Sequence, residues 1–238
     1  MNEKLIATIL IAGILVIGGY LYMVSGAEVS AQGNAEIEAI PDQASIYIMI
    51  EARNESAQAA QNQHDLIKDE LLTDLIKLGL EMEDIQTSYY NVEPEYDWSD
   101  GSRKQIGFVG REQIVISVQD FDDVASIVDA AIDSGAYVSG IHFELSQEKQ
   151  NEYKALALEE AGKDARNKAQ ATAEGLGKSL GRLISVQSQD FNYYPRVYYE
   201  ASVGSMDASE AREVAATITP RDVEVRASVV VKYKLSLF

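Results

Sequence analysis

An α+β fold is expected for this chain: a ferredoxin-like βαββαβ arrangement followed by a long Ala-rich helix and a C-terminal β-hairpin, preceded by one N-terminal transmembrane helix. Three observations carry that expectation. Leu5 to Val24 (LIATILIAGILVIGGYLYMV) holds no charged side chain, and a helix of that length spans about 30 Å, the thickness of a hydrocarbon core. Beyond it, segments of period two and of helical period follow in the order strand, helix, strand, strand, helix, strand. Ala157, Ala161, Ala165, Ala169 and Ala173 then repeat every four residues, a spacing that lets a helix approach another backbone closely.

The apolar run is preceded by Lys4 and followed by Glu28, Glu36, Glu38 and Asp42. Positive charge on the short flank keeps it in the cytoplasm and sends the remainder outside, to the outer side of the plasma membrane. The alternative is a signal peptide cleaved after Ser25-Gly26-Ala27, although such apolar regions usually run only ~7–15 residues. Residues 1–27 are thus read as anchor or signal peptide, 28–34 (EVSAQGN) as a polar linker, and 35–238 as the extracytoplasmic domain. A division of that domain into about 80–146 and the remainder is compatible with its length.

Within the domain, Ala44, Ile46, Ile48 and Ile50 alternate with Ser45, Tyr47 and Met49, the mark of a strand buried on one face. Ile67, Leu71, Leu75 and Leu78 form one stripe on a helix from about Asn54 to Leu78, which Gly79 can end. Strands from Asp84 to about Glu95 and from Ile106 to Val118 flank a loop, DWSDGSRK. A helix capped by Asp120 or Asp122 runs to Gly135, and a strand from Tyr137 to Leu145 follows. After the Ala-rich helix, Arg182–Gln189 and Asp222–Leu237 read as strands around a long excursion, about 190–220. Such an excursion inside a compact domain is usually functional.

Composition excludes much. There is no cysteine, so disulfides, thiolate metal sites and thiol catalysis are absent. The formal charge of −18 argues against nucleic acid as a partner. Gly177-Lys178-Ser179 lacks the leading glycine of a phosphate loop, Thr172 standing in its place. Ser146-Gln147-Glu148-Lys149 lacks the companion motifs of Ser/Lys hydrolases, and Ser146 is more simply a helix cap. Asp97 and Asp100 do not meet calcium-loop spacing, and Asn54-Glu55-Ser56 is one isolated glycosylation sequon. His64 sits in the first helix without a nearby histidine. His142 and Glu144 share a strand face and form the one candidate acid/base pair.

The aromatic residues are distributed unevenly. Tyr89, Tyr90, Tyr96 and Trp98 form one group, and Tyr193, Tyr194, Tyr198 and Tyr199 a second. Tyr and Trp combine apolar area with a polar tip and are enriched at interfaces. These eight residues are the expected interaction surface, for a second copy or a protein partner; ordinary strand packing is the competing explanation. No catalytic residue, cofactor or metal is expected.

The order of several local marks resembles the SIMPL-domain family, a domain-of-unknown-function family of envelope proteins that includes periplasmic immunogens. The marks span residues 33–235. They are Gly33, Pro41-Asp42, Ala44, Leu78-Gly79, Asp84-Ile85-Gln86-Thr87, Pro94, Tyr96, Gly107-Phe108, Asp129-Ala130 and Gly135-Ala136. Ala165, Lys168, Ala169, Leu176-Gly177, Leu180-Gly181, Pro220 and Tyr233 complete them; Arg221 departs from the glycine usual after the late proline. The resemblance implies an exported α+β protein, homo-oligomeric in some members and linked to stress tolerance and signalling, with no family catalytic residue to carry over. The expected function is a non-catalytic binding or assembly module of the cell envelope. The alternatives are a carboxylate- or metal-dependent hydrolase and a cation- or small-ligand-binding module.

Overall fold

The computed structural model describes residues 26–99, 101–194, 196–200 and 220–236, together with Gly13, Arg212 and Glu213; over 189–192, 194 and 196–200 it describes the backbone alone. The chain is α+β. Its elements begin with β1 (Glu28–Ala39), β2 (Gln43–Asn54), α1 (Ala57–Lys77), β3 (Ile85–Asp97) and β4 (Lys104–Val118). They continue with α2 (Asp123–Asp133), β5 (Tyr137–Glu144), α3 (Gln147–Gly175), β6 (Ser179–Tyr194), β7 (Arg196–Glu200) and β8 (Val223–Ser236). Among the described residues no helix is long and apolar enough to cross a membrane. The anticipated anchor, Leu5–Val24, lies outside the described residues apart from Gly13.

Two compact units share these elements. The larger comprises the described parts of Glu38–Gln150 and Tyr194–Glu224. Its five-stranded sheet has the order β3-β4-β2-β5-β7, and every neighbouring pair is antiparallel. The alternation on β2 buries Ala44, Ile46, Ile48 and Ile50 completely, with Ile46 opposite Ile116 of β4 and Ile141 of β5. The same core takes Leu71 and Leu75 from α1 and Val124, Ile127 and Val128 from α2. Ser56 starts α1 by accepting the Ala59 N–H at 3.2 Å. Gly79 and Gly135 stand beyond α1 and α2 at φ of +96° and +88°, the left-handed geometry that ends a helix.

Three expectations change here. Leu78 is half-exposed at the end of α1, and the buried stripe runs instead through Ala60, His64, Leu71 and Leu75. Asp120 accepts the Asp122 N–H at 3.0 Å, whereas Asp122 makes no side-chain cap bond itself. The excursion expected over 190–220 contains strand: β6 extends to Tyr194, and β7 pairs with β5, placing Val197 opposite His142 and Tyr199 opposite Ile141. Pairing with β7 supplies partners to backbone groups that β5 would otherwise expose at the sheet edge.

The smaller unit comprises the described parts of Met1–Ile37, Asn151–Tyr193 and Val225–Phe238. Its sheet has the order β1-β8-β6. Contacts of β1 with β8 run in opposite senses along the two strands: the Leu235 N–H reaches Ala27 O at 2.8 Å, Lys232 pairs with Glu28, Gln32 reaches Ser228, and Arg226 pairs with Glu36. The segment 28–34, expected as linker, is therefore strand; its polar side chains face outward while Val29 and Gly33 are buried. The strands of the expected C-terminal hairpin, β6 and β8, are neighbours, but β7 lies between them in the chain and the Val-rich β8 also has β1 on its other side.

All five alanines of the α3 row are fully buried. Gly33 on β1 shows why small residues are needed: a Cβ there would lie 2.0 Å from Ala161 O and 2.3 Å from Ala165 N. Asp164 adds a polar tie, accepting the Asn34 N–H at 2.9 Å. Gly33→Ala is expected to lower stability by about 1–3 kcal/mol in urea unfolding, because backbone must move to admit the methyl group. Gly162→Ala on α3 meets no atom within 4 Å. It is expected to raise stability by about 0.5–1 kcal/mol through helix propensity.

Candidate functional site

The β3–β4 hairpin carries the first aromatic group. Glu95 faces Gly107, Tyr96 faces Gln105 and Asp97 faces Lys104, with a register shift between Glu95 and Tyr96. Asp97 accepts the Ser99 N–H and the Ser99 hydroxyl, both at 2.8 Å. These bonds hold its carboxyl below the ordinary carboxylate range and assign it to the turn. Asp100, weighed with it for calcium, lies outside the described residues. The turn brings Arg103 back over the Tyr96 ring, 3.6 Å from its centroid and 5.9 Å from that of Trp98. Both distances fall within cation–π range. Trp98 is 63% exposed.

Glu93, Pro94, Glu95, Val109 and Arg111 complete the cleft around this stack. Its carboxylates are braced from the neighbouring strands. Arg53 donates to Glu95 at 2.8 Å; Arg111 pairs with Glu93 at 2.7 Å and with Glu51 at 3.1 Å. Among the described residues no carboxylate pairs with Arg103. Arg103 was not singled out in the sequence. The Asp-Gly turn of DWSDGSRK is the signal that would have placed it across from Tyr96 and Trp98.

The other expected surface residues are scattered. Tyr89 and Tyr90 are each 46% exposed on β3, and the Tyr90 ring leans on His64 at 5.2 Å between centroids. Tyr193 is half-buried on β6; the side chains of Tyr194, Tyr198 and Tyr199 lie outside what is described. Tyr198 and Tyr199 belong to β7, and three strands separate β7 from β3. At about 4.8 Å per strand the two edges are roughly 19 Å apart. The geometry unites Tyr96, Trp98 and Arg103, and it does not bring the two tyrosine groups together within this sheet.

A second polar constellation is buried between α1 and the sheet. His64 and Glu112 are each 1% exposed. Glu112 Oε1 accepts the Lys68 ammonium at 2.6 Å and the Thr87 hydroxyl at 2.7 Å. Its Oε2 lies 3.0 Å from His64 Nε2. Neither atom has an aligned hydrogen bond among the described residues. On the other side of the ring, Nδ1 lies 3.1 Å from Asp65 Oδ1. Glu112 was not singled out in the sequence; its sharing the phase of the buried Ile114 and Ile116 on β4 is the signal that would have found it. His and Glu can exchange protons, but this pair is sealed from any substrate, and its effect is on packing.

The His142–Glu144 pair is engaged by separate neighbours. The His142 ring packs on Tyr47, 4.7 Å between centroids, and Glu144 is taken up by Gln43 and Ser45. Burial, then the Glu144 charge, pushes the Tyr47 phenol up. Among the described residues no three His, Asp or Glu side chains gather to hold a metal. Lys68→Met is expected to cost about 3–5 kcal/mol at neutral pH, because it strands the buried Glu112 charge. Adding Glu112→Leu should recover most of that loss; urea midpoints of the single and double variants read the difference.

Comparison with known proteins finds relatives of unknown function. The profile of SIMPL, described as a protein of unknown function (DUF541), matches residues 29–233. "Uncharacterized protein YggE" of Escherichia coli (strain K12) is 25% identical over 204 residues, covering 84% of this chain and 82% of the relative. The protein of the same name from Edwardsiella ictaluri (strain 93-146) is 26% identical over 193 residues, covering 78% and 80%. The "26 kDa periplasmic immunogenic protein" of Brucella melitensis biotype 1 is 22% identical over 165 residues, covering 67% and 66%. Since the matched region takes in every strand and helix from β1 through most of β8, the chain belongs to the SIMPL family.

Proposed function

We propose that this chain is a membrane-anchored, extracytoplasmic module of the cell envelope that binds and assembles and catalyses no reaction. The observation that carries the reading is the contrast between its two polar constellations. The acid/base-capable one is closed to substrate at 1% exposure, whereas Tyr96, Trp98 and Arg103 stand open at a hairpin tip. Side chains of these three types dominate the energetics of protein contacts.

The remaining parts of the reading have separate supports. The uncharged run Leu5–Val24 supports a single-pass anchor with the folded domain outside. The periplasmic designation of the Brucella relative supports the address. The strand order β3-β4-β2-β5, with α1 and α2 contributing to one core, supports the ferredoxin-like reading of the βαββαβ segment. For assembly, β3 and β7 are opposite edges of one sheet, and each carries tyrosines. Edge strands present unpaired backbone groups that a second copy can use.

Light scattering of the full chain in a maltoside detergent is expected to give a mass above one copy. Tyr198→Ser with Tyr199→Ser should lower that mass. A monodisperse monomer would remove the assembly reading, and an unchanged mass in the double variant would remove these tyrosines from it. Protease added to intact spheroplasts should digest the domain and spare a short membrane-embedded fragment; full protection would place the domain inside.

A further inference from the structure

The Tyr96–Trp98 cleft is built for a cation, and the cation it holds is the chain's own. Arg103 lies flush on the Tyr96 ring at 3.6 Å while Trp98, at 5.9 Å, leaves the outer side unclosed. The guanidinium has no carboxylate partner among the described residues. Arg103 itself is exposed in the segment joining β3 to β4. The stack therefore holds this side chain on the Tyr96 face at an exposed position.

We propose that this cleft receives an arginine side chain from a basic partner peptide, and that Arg103 is the resident stand-in which the incoming guanidinium displaces. The inference rests on the binding-module reading above and names the chemistry of its partner. Guanidinium is favoured over ammonium because it is planar, weakly hydrated and stacks on aromatic faces, as Arg103 does here. Glu93 and Glu95 line the same cleft but are already paired with Arg111 and Arg53, so the local attraction for a guanidinium comes from the aromatic faces. Long-range attraction acts in the same sense, since a chain of formal charge −18 draws polycations toward it. An exposed tryptophan beside a tyrosine also has the composition of an energetic centre in protein contacts.

The chain has one tryptophan, so intrinsic emission reports on this cleft directly. The full chain in a maltoside detergent is titrated with a tetra-arginine peptide and, separately, with tetra-lysine. Tetra-arginine should change the Trp98 emission saturably, and tetra-lysine should need higher concentrations. Arg103→Gln removes the internal competitor and should lower the half-saturating concentration roughly fivefold, the factor expected if Arg103 fills the cleft about four-fifths of the time. Adding Tyr96→Leu to Arg103→Gln should abolish the saturable response. Circular dichroism identifies variants that have not folded, and the wild-type titration then decides alone.

Three results overturn the proposal: linear quenching like that of free N-acetyl-tryptophanamide, equal half-saturation in wild type and Arg103→Gln, or equal response to tetra-arginine and tetra-lysine. Light scattering on the same samples keeps the two readings apart. Persistent assembly without saturable binding would reject the cleft and leave the assembly module standing.

Discussion

Everything in the larger unit depends on the register of β2. Its neighbours β4 and β5 both read their own phase from it, through Ile46 opposite Ile116 and Ile141. Because side chains alternate with period two, a slip of one residue would turn Ile46, Ile48 and Ile50 to the opposite face and bring Tyr47, Met49 and Glu51 into the core. The same register carries Glu112 inward to meet His64 and Lys68, and it places Arg111 where it bridges Glu51 and Glu93 across three strands. The buried cluster and the bracing of the hairpin cleft are thus two consequences of one pairing. The bulge between Tyr47 and Ile48 is confined to the β5 side, where the partner is a short strand.

Sealed and open polar groups have different physical roles here. Glu112 loses its hydration on folding and is compensated by Lys68, Thr87 and His64 at 2.6–3.0 Å. Such a cluster contributes little net stability, but it penalises any packing that separates its members. Arg103, by contrast, is exposed and lies against one aromatic face. An interaction of that kind is weak and exchangeable, which suits recognition better than it suits folding.

The marks shared with the SIMPL family prove largely architectural. Asp42 accepts the Ser146 N–H and hydroxyl, each at 2.7 Å, fixing the start of α3. Asp84 accepts the Glu81 N–H at 3.0 Å, and its carbonyl takes the Ser117 N–H, tying the entry of β3 to β4. Thr87 is a partner of the buried Glu112. Arg221, where the family usually has glycine, does not adopt positive φ, so the departure imposes no left-handed backbone strain.

The sequence by itself determined what local periodicity and capping can dictate. The apolar phases of β2, β4 and β8, the alanine row of α3, and the helix ends at Gly79 and Gly135 all follow from residues within one turn or one strand. Only the tertiary structure decided which elements meet. It drew segment 28–34 into a strand because β8 was available to pair with it, and it made part of the 190–220 excursion an edge strand because β5 needed one. It also set Tyr89, Tyr90 and Tyr96 on one edge strand of the sheet and Tyr198 and Tyr199 on the other, and laid Arg103 on Tyr96. The physical reason is range: periodicity records which face of an element avoids water, whereas pairing and stacking depend on partners that the fold alone brings within a few ångströms.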